Sequence, residues 1–168
     1  MDKRRAQQDL FTEGGADFDG PYRYDLFRTW DRHKPMLLFV MLNPSTADEK
    51  ELDRTVNRCS GFARGLGYGG FHVVNLFALV STDPKALKEA KDPVGPLNGR
   101  YIGRLAKEAN MVIVAWGSNI MVKERAPKVL KLLRKYNKKI YCLGTNKDGH
   151  PRHPLYLCST TEPVIYES

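Results

Sequence analysis

Met36-Leu-Leu-Phe-Val-Met-Leu-Asn-Pro-Ser-Thr-Ala-Asp48 is the stretch that decides the fold of this chain. Seven apolar residues without a charge, Met36–Leu42, stop at Asn43-Pro44, and small polar residues and an acid follow. An uncharged run bounded by turn residues reads as a strand buried on both faces. Residues directly after a buried parallel strand lie at its carboxyl end, where open α/β sheets place their ligands. Three later segments end in the same manner. Phe71-His-Val-Val74 runs into Asn75, Met111–Ala115 into Trp116-Gly117-Ser118, and Lys139–Cys142 into Leu143-Gly144-Thr145. Polar and aromatic residues therefore collect along one edge of one sheet, the expected active-site edge.

Helical spacing fills the intervals between these strands. Asp53 can cap a helix to about Leu66, with Val56, Cys59, Phe62, Ala63 and Leu66 on one face. Thr82 or Asp83 caps a short helix at Pro84–Ala90, with proline in its favoured first turn. A further helix is expected from Pro96 to Ala109, and a basic amphipathic one over Pro127–Tyr136. Strands alternating with helices imply right-handed βαβ units. The expected architecture is α/β: a three-layer α/β/α arrangement around a four-stranded, mainly parallel central sheet. Tyr22-Arg-Tyr-Asp-Leu-Phe-Arg28 alternates and is expected as an edge strand beside the first core strand. Residues 1–20 are polar and broken by Glu13-Gly-Gly15 and Asp19-Gly20-Pro21, which reads as an N-terminal arm or a fragment of helix. Residues 21–168 then form a single α/β domain, loop-rich from Gly144 and closed by a short strand near Pro163–Tyr166.

A chain of 168 residues fits one domain, enough to bury roughly 70% of its unfolded surface. No apolar run approaches the roughly 20 residues that span a bilayer, and Met1-Asp-Lys-Arg-Arg-Ala is followed by no apolar stretch of a secretory signal. Cys59, Cys142 and Cys158 are odd in number and widely spaced, unlike a disulfide framework or a metal-ligand pattern. They are expected as free thiols in a cytoplasmic protein that acts as a monomer. The formal charge of +8 favours polyanionic partners such as nucleic acid.

From about Tyr22 to Leu157 the chain resembles an uncharacterised bacterial, archaeal and phage family, a domain of unknown function. The motifs that carry the resemblance are Met41-Leu-Asn-Pro-Ser-Thr-Ala-Asp48, Val74-Asn-Leu-Phe77, Asp92-Pro-Val-Gly-Pro96, Ala115-Trp-Gly117 and Gly149-His-Pro-Arg-His-Pro-Leu155. Three shorter motifs resemble, more distantly, the uracil-DNA glycosylase superfamily. Leu42-Asn43-Pro44 is similar to the water-activating segment of its mismatch-specific branch. Val74-Asn75 is similar to the strand-end asparagine that reads the uracil edge, and His153-Pro154-Leu155 to the loop that contacts the base. This resemblance implies a uracil-DNA glycosylase-like fold, base flipping and a role of the DNA-repair type. His153 would then donate to the base carbonyl. The chain departs from that pattern in lacking the glycines that flank Asn-Pro and in placing Ser45 after Pro44, which would leave room beside C5 of a pyrimidine.

The residues can be read for chemistry without the family. Cleaving a pyrimidine N-glycosidic bond requires a positioned water and donors aimed at the departing base anion. Asn43 can hold the water through its amide oxygen, and Asp48 can act as general base or stabilise the sugar cation. Asn75 offers one donor and one acceptor group, matching an imide edge. Phe77 or Trp116 can stack on an extruded base. Ser45, Thr46, Lys147, His150 and Arg152 suit phosphate contacts. Against each stands a plainer role: a turn at Asn43-Pro44, a helix cap at Asp48, core packing at Phe77 and Trp116. The run of Lys123, Arg125, Lys128, Lys131, Arg134, Lys135, Lys138 and Lys139 reads as a solvated helix face. His150 and His153 have no third ligand nearby in sequence, so neither metal nor cofactor is expected. The expected function is a DNA glycosylase acting on uracil or a 5-substituted pyrimidine. A hydrolase or transferase of free nucleotides, and a non-catalytic nucleic-acid-binding module, are the alternatives.

Overall fold

The structure, a computed structural model, describes residues 13–45, 49–137 and 139–167. Seven strands form one mixed sheet: β1 (Glu13–Asp19), β2 (Tyr22–Thr29), β3 (Met36–Met41), β4 (Gly70–Asn75), β5 (Met111–Val114), β6 (Tyr141–Cys142) and β7 (Val164–Ile165). Among the described residues four α-helices connect them: α1 (Glu49–Gly65), α2 (Pro84–Glu89), α3 (Asn98–Glu108) and α4 (Val122–Tyr136). The order across the sheet is β1-β2-β4-β3-β5-β6-β7. β4, β3, β5 and β6 run parallel to one another, while β1, β2 and β7 join antiparallel at the two sides.

The expected four-stranded, mainly parallel sheet of glycosylase type is therefore corrected to a seven-stranded mixed one. Beyond the four core strands, β2 and β7 fall on the strands expected at Tyr22–Arg28 and near Pro163–Tyr166, and β1 comes from a segment whose local signals are those of turns and surface. Glu13–Asp19, expected as arm or helix fragment, is β1, and nearly all of it is exposed, so it carries no apolar alternation to read. Asp19-Gly20-Pro21 is not a break but the hairpin corner between β1 and β2. Gly20 takes a φ of 56° there, and Pro21 has its φ fixed by the ring. β2 pairs with β4, from Leu26 opposite Val73 to Thr29 opposite Gly70, and not with the first core strand β3.

β3 is the centre of the sheet, and its alternation divides the core. Leu37, Phe39 and Met41 pack with Val56, Cys59, Phe62 and Ala63 of α1 on one face. Leu38 and Val40 face Ile102, Leu105 and Ala106 of α3 and Val129, Leu130 and Leu133 of α4 on the other. Each such side chain contributes about 1.5–3 kcal/mol when fully buried. Helix α1 begins at Glu49, a turn ahead of the expected Asp53. Helix α4 likewise begins at Val122, ahead of Pro127, because Val122 and Ala126 already belong to its buried stripe. Pro127 removes one intrahelical bond at a position exposed to solvent. Among the described residues no helix is long and apolar enough to cross a membrane.

Candidate functional site

The chain leaves β3 through α1 to reach β4 on one side, then crosses through α2 and α3 to β5 on the other side of β3. This reversal opens a crevice at the carboxyl ends of β3 and β5, the position where doubly wound sheets bind ligands. A cavity of about 210 Å³ lies at that edge. Its walls come from far-separated segments: Arg23 and Leu26 of β2, Met41–Asn43 and Ser45 after β3, Thr55, Val56 and Cys59 of α1, Val73 and Asn75 of β4, Trp116 after β5, and His153 and Leu155.

Asn43, Asn75 and His153 thus line one cavity, together with Ser45 and Trp116. Each is held differently. Asn43 donates its amide nitrogen to the carbonyls of Pro44 at 3.1 Å and Ser81 at 2.8 Å. Two carbonyl partners fix the orientation of the amide nitrogen and leave Oδ1 as the acceptor of this side chain. Asn75, paired with Met41 at the last rung of the β3–β4 ladder, is only 3% exposed. Its side-chain amide makes no hydrogen bond with a described residue. Its main chain is secured instead by Asn98, whose amide nitrogen donates to the carbonyls of Asn75 at 3.0 Å and Leu76 at 3.1 Å. A second donor, the Arg125 guanidinium, reaches the Leu76 carbonyl at 2.9 Å.

His153 arrives on a loop tied across two strand ends. Gly117, at a φ of 73°, donates its N–H to the Pro151 carbonyl at 2.9 Å, and Arg152 donates its N–H to the Gly144 carbonyl at 3.0 Å. Pro154–Tyr156 then forms a single 3₁₀ turn that His153 caps, with Nδ1 accepting the N–H of Leu155 at 3.1 Å. An accepting Nδ1 places the proton of the neutral ring on Nε2, so Nε2 is the donor of this imidazole.

Arg23 escaped the sequence reading. It is only 8% exposed, its main-chain N–H bonds the Ala78 carbonyl at 2.9 Å, and its guanidinium makes no hydrogen bond or ion pair with a described residue. Burial lowers its pKa, as does Arg28, against the opposing pull of Asp25; a guanidinium still stays charged at neutral pH. Asp25 itself is bonded to His72 Nδ1 at 2.9 Å. The alternation of Tyr22–Arg28 was the available signal, since it places Arg23 on a strand with a buried side. Cys59 also lines the cavity, but burial pushes its thiol far up, which leaves it a protonated, inert group.

Other expected site residues lie elsewhere. Phe77 is not at the cavity: the strand stops at Asn75, the chain bends at Leu76, and Phe77 packs in the core against α3 and α4. Trp116 belongs both to that core, edge-on to Tyr166, and to the cavity wall; its indole N–H is buried without an acceptor. Thr46 and Asp48 lie outside the described residues. Arg152 lines a shallow cleft that adjoins the cavity through Trp116 and His153. His150 instead faces clefts beside Lys123 at the start of α4, and Lys147 is exposed in a turn. Among the described residues no group of three or more His, Cys, Asp or Glu side chains is placed to hold a metal ion.

A search of curated proteins finds no match to this sequence. A family model described as a protein of unknown function (DUF1643) matches residues 23–155, a span that runs from Arg23 through His153 and so takes in every described wall of the cavity. The chain belongs to that family.

Proposed function

We propose that the protein hydrolyses the N-glycosidic bond of uracil or a 5-substituted pyrimidine in DNA. The observation that carries this reading is the convergence of Asn43, Asn75 and His153 on one cavity of about 210 Å³. A cavity of about 150 Å³ already admits a benzene ring, so this one has room for a pyrimidine ring. A flipped base loses its stacking and pairing, and the pocket must return both. Trp116 supplies an aromatic wall, and the side-chain amide of Asn75 supplies a donor and an acceptor for the imide edge.

In the reaction the oxygen of a water bonds to C1′ of the sugar while the bond from C1′ to the base nitrogen breaks. The electron pair leaves with the base. Asn43 Oδ1 accepts a hydrogen bond from the attacking water and orients it, and a carboxylate takes the water's proton; Asp48 is the residue assigned that role. The Nε2–H of His153 faces the charge that develops on the base carbonyl, where a preorganised donor does most good. Ser45, small and on the cavity wall, leaves space for a substituent at C5.

The test is a panel of oligonucleotides carrying uracil, thymine and 5-substituted pyrimidines, with abasic products revealed by alkaline cleavage. Release of at least one of these bases is expected. Asn43→Ala should lower the rate of release by about 100-fold, the scale of losing one preorganised polar group, while duplex binding persists. No abasic product from any member of the panel would remove the assignment.

A further inference from the structure

Arg23 is the feature that base hydrolysis by itself does not need. It lines the cavity with Asn75 and Asn43 and is more than nine-tenths buried, yet its guanidinium makes no hydrogen bond or ion pair with a described residue, and Asp25, the charge that attracts it, is bonded to His72. Among the described residues of the cavity wall none is acidic. A buried cation without an acceptor is costly, because desolvation is offset only by a partner with good geometry. Burying an apolar side chain there, as Leu26 does three residues further along the same strand, would carry no such cost. The guanidinium fork matches a carboxylate or phosphate through two parallel hydrogen bonds. The cavity therefore combines one positive fork, one side-chain amide and one aromatic wall.

We infer that the cavity selects a planar, pyrimidine-like ring bearing an anionic substituent, a carboxylate, seated on the guanidinium of Arg23. This rests on the pyrimidine reading above and specifies its substrate class. The shared chemistry is an anion on Arg23, and that anion can be a ring substituent or a nucleotide phosphate. The shared wall of Arg23 and Asn75, the residue that reads the base edge, favours the ring substituent.

The experiment is calorimetric titration of the full chain at pH 7 with 5-carboxyuracil, thymine and uridine 5′-monophosphate. The carboxylated base is expected to bind at least about tenfold more tightly than thymine, which is about 1.4 kcal/mol. Arg23→Gln should erase that preference while leaving thymine affinity within about threefold, and Arg23→Lys should keep part of it. Equal affinity of the wild-type protein for 5-carboxyuracil and thymine overturns the inference, as does a preference that survives Arg23→Gln. Tighter binding of uridine 5′-monophosphate that depends on Arg23 overturns the ring-substituent assignment in favour of a phosphate. If Arg23→Gln fails to fold by circular dichroism, the wild-type comparison and Arg23→Lys decide. Free bases contain no glycosidic bond, so this titration is independent of the oligonucleotide panel. Uracil excision without carboxylate preference sinks this inference alone, and carboxylate-dependent binding without excision sinks the glycosylase reading alone.

Discussion

Asn75 is only 3% exposed, and its side-chain amide lines the cavity without a hydrogen bond to a described residue. Replacing an unsatisfied polar side chain with an apolar one of similar shape is neutral or stabilising, since no desolvation penalty remains. Asn75→Leu should therefore keep or raise the unfolding free energy, by up to about 1 kcal/mol, while removing base release and ligand binding. Urea denaturation beside the oligonucleotide assay checks this, and a clear loss of stability would show the amide to be structural. Asn98 should behave in the opposite way. It donates to two carbonyls at the end of β4, and Asn98→Ala should cost about 1–3 kcal/mol by removing the Asn75 carbonyl's side-chain donor, while Arg125 still serves the Leu76 carbonyl. Asn43, Asn75 and His153 were legible as residues because each follows an apolar run or a proline-rich loop motif. Arg23 was not, because an arginine in an alternating strand looks the same whether its head reaches solvent or a cavity.

At the scale of elements, hydrophobic runs were readable where the strand is buried on both faces, as at β3, β4 and β5. They failed where pairing alone makes the strand. β1 is almost wholly exposed, so main-chain bonds to its neighbour define it and no side-chain pattern announces it, whereas β7, Val164–Ile165, is the short strand expected near Pro163–Tyr166. The early start of α4 has a measurable corollary. Pro127 sits inside the helix on its exposed side, so Pro127→Ala should restore a main-chain bond and raise stability by up to about 3 kcal/mol. A lower midpoint in denaturant would instead mean that the proline fits the helix better than alanine. The loop that carries His153 is also tunable. A hydrogen bond from the Ser118 hydroxyl, then the N–H of His150, hold the Asp148 carboxyl below its ordinary range. A depressed carboxylate stabilises the fold above its unfolded pKa and loses that contribution as pH falls through the lower folded value. The loop should therefore stay ordered at neutral pH and loosen only in strong acid, seen as faster amide exchange at His150. Asp148→Asn should flatten that acid response.

For the whole molecule, the net charge of +8 raises the question of which face meets a polyanion. The basic residues of α4 lie on its outer side, and Arg125 is spent on the Leu76 carbonyl. Arg152 instead borders the cleft that adjoins the cavity. Duplex affinity should fall linearly with the logarithm of salt, and Arg152→Gln should reduce the slope by about one phosphate contact, a change of about 0.9. Replacing Lys128 and Lys131 together with Gln should leave the slope unchanged; a drop there would move the nucleic-acid face to α4. The sheet also separates the protein's two tryptophans. Trp30 follows β2, with its ring under Arg64 and its N–H on the Tyr68 carbonyl, beside the chain entering β4. Trp116 follows β5 at the opposite, carboxyl edge and forms part of the cavity wall. With Trp30→Phe, ultraviolet emission would come from the indole at the cavity alone, giving the molecule a built-in optical gauge of occupancy that needs no dye and no turnover.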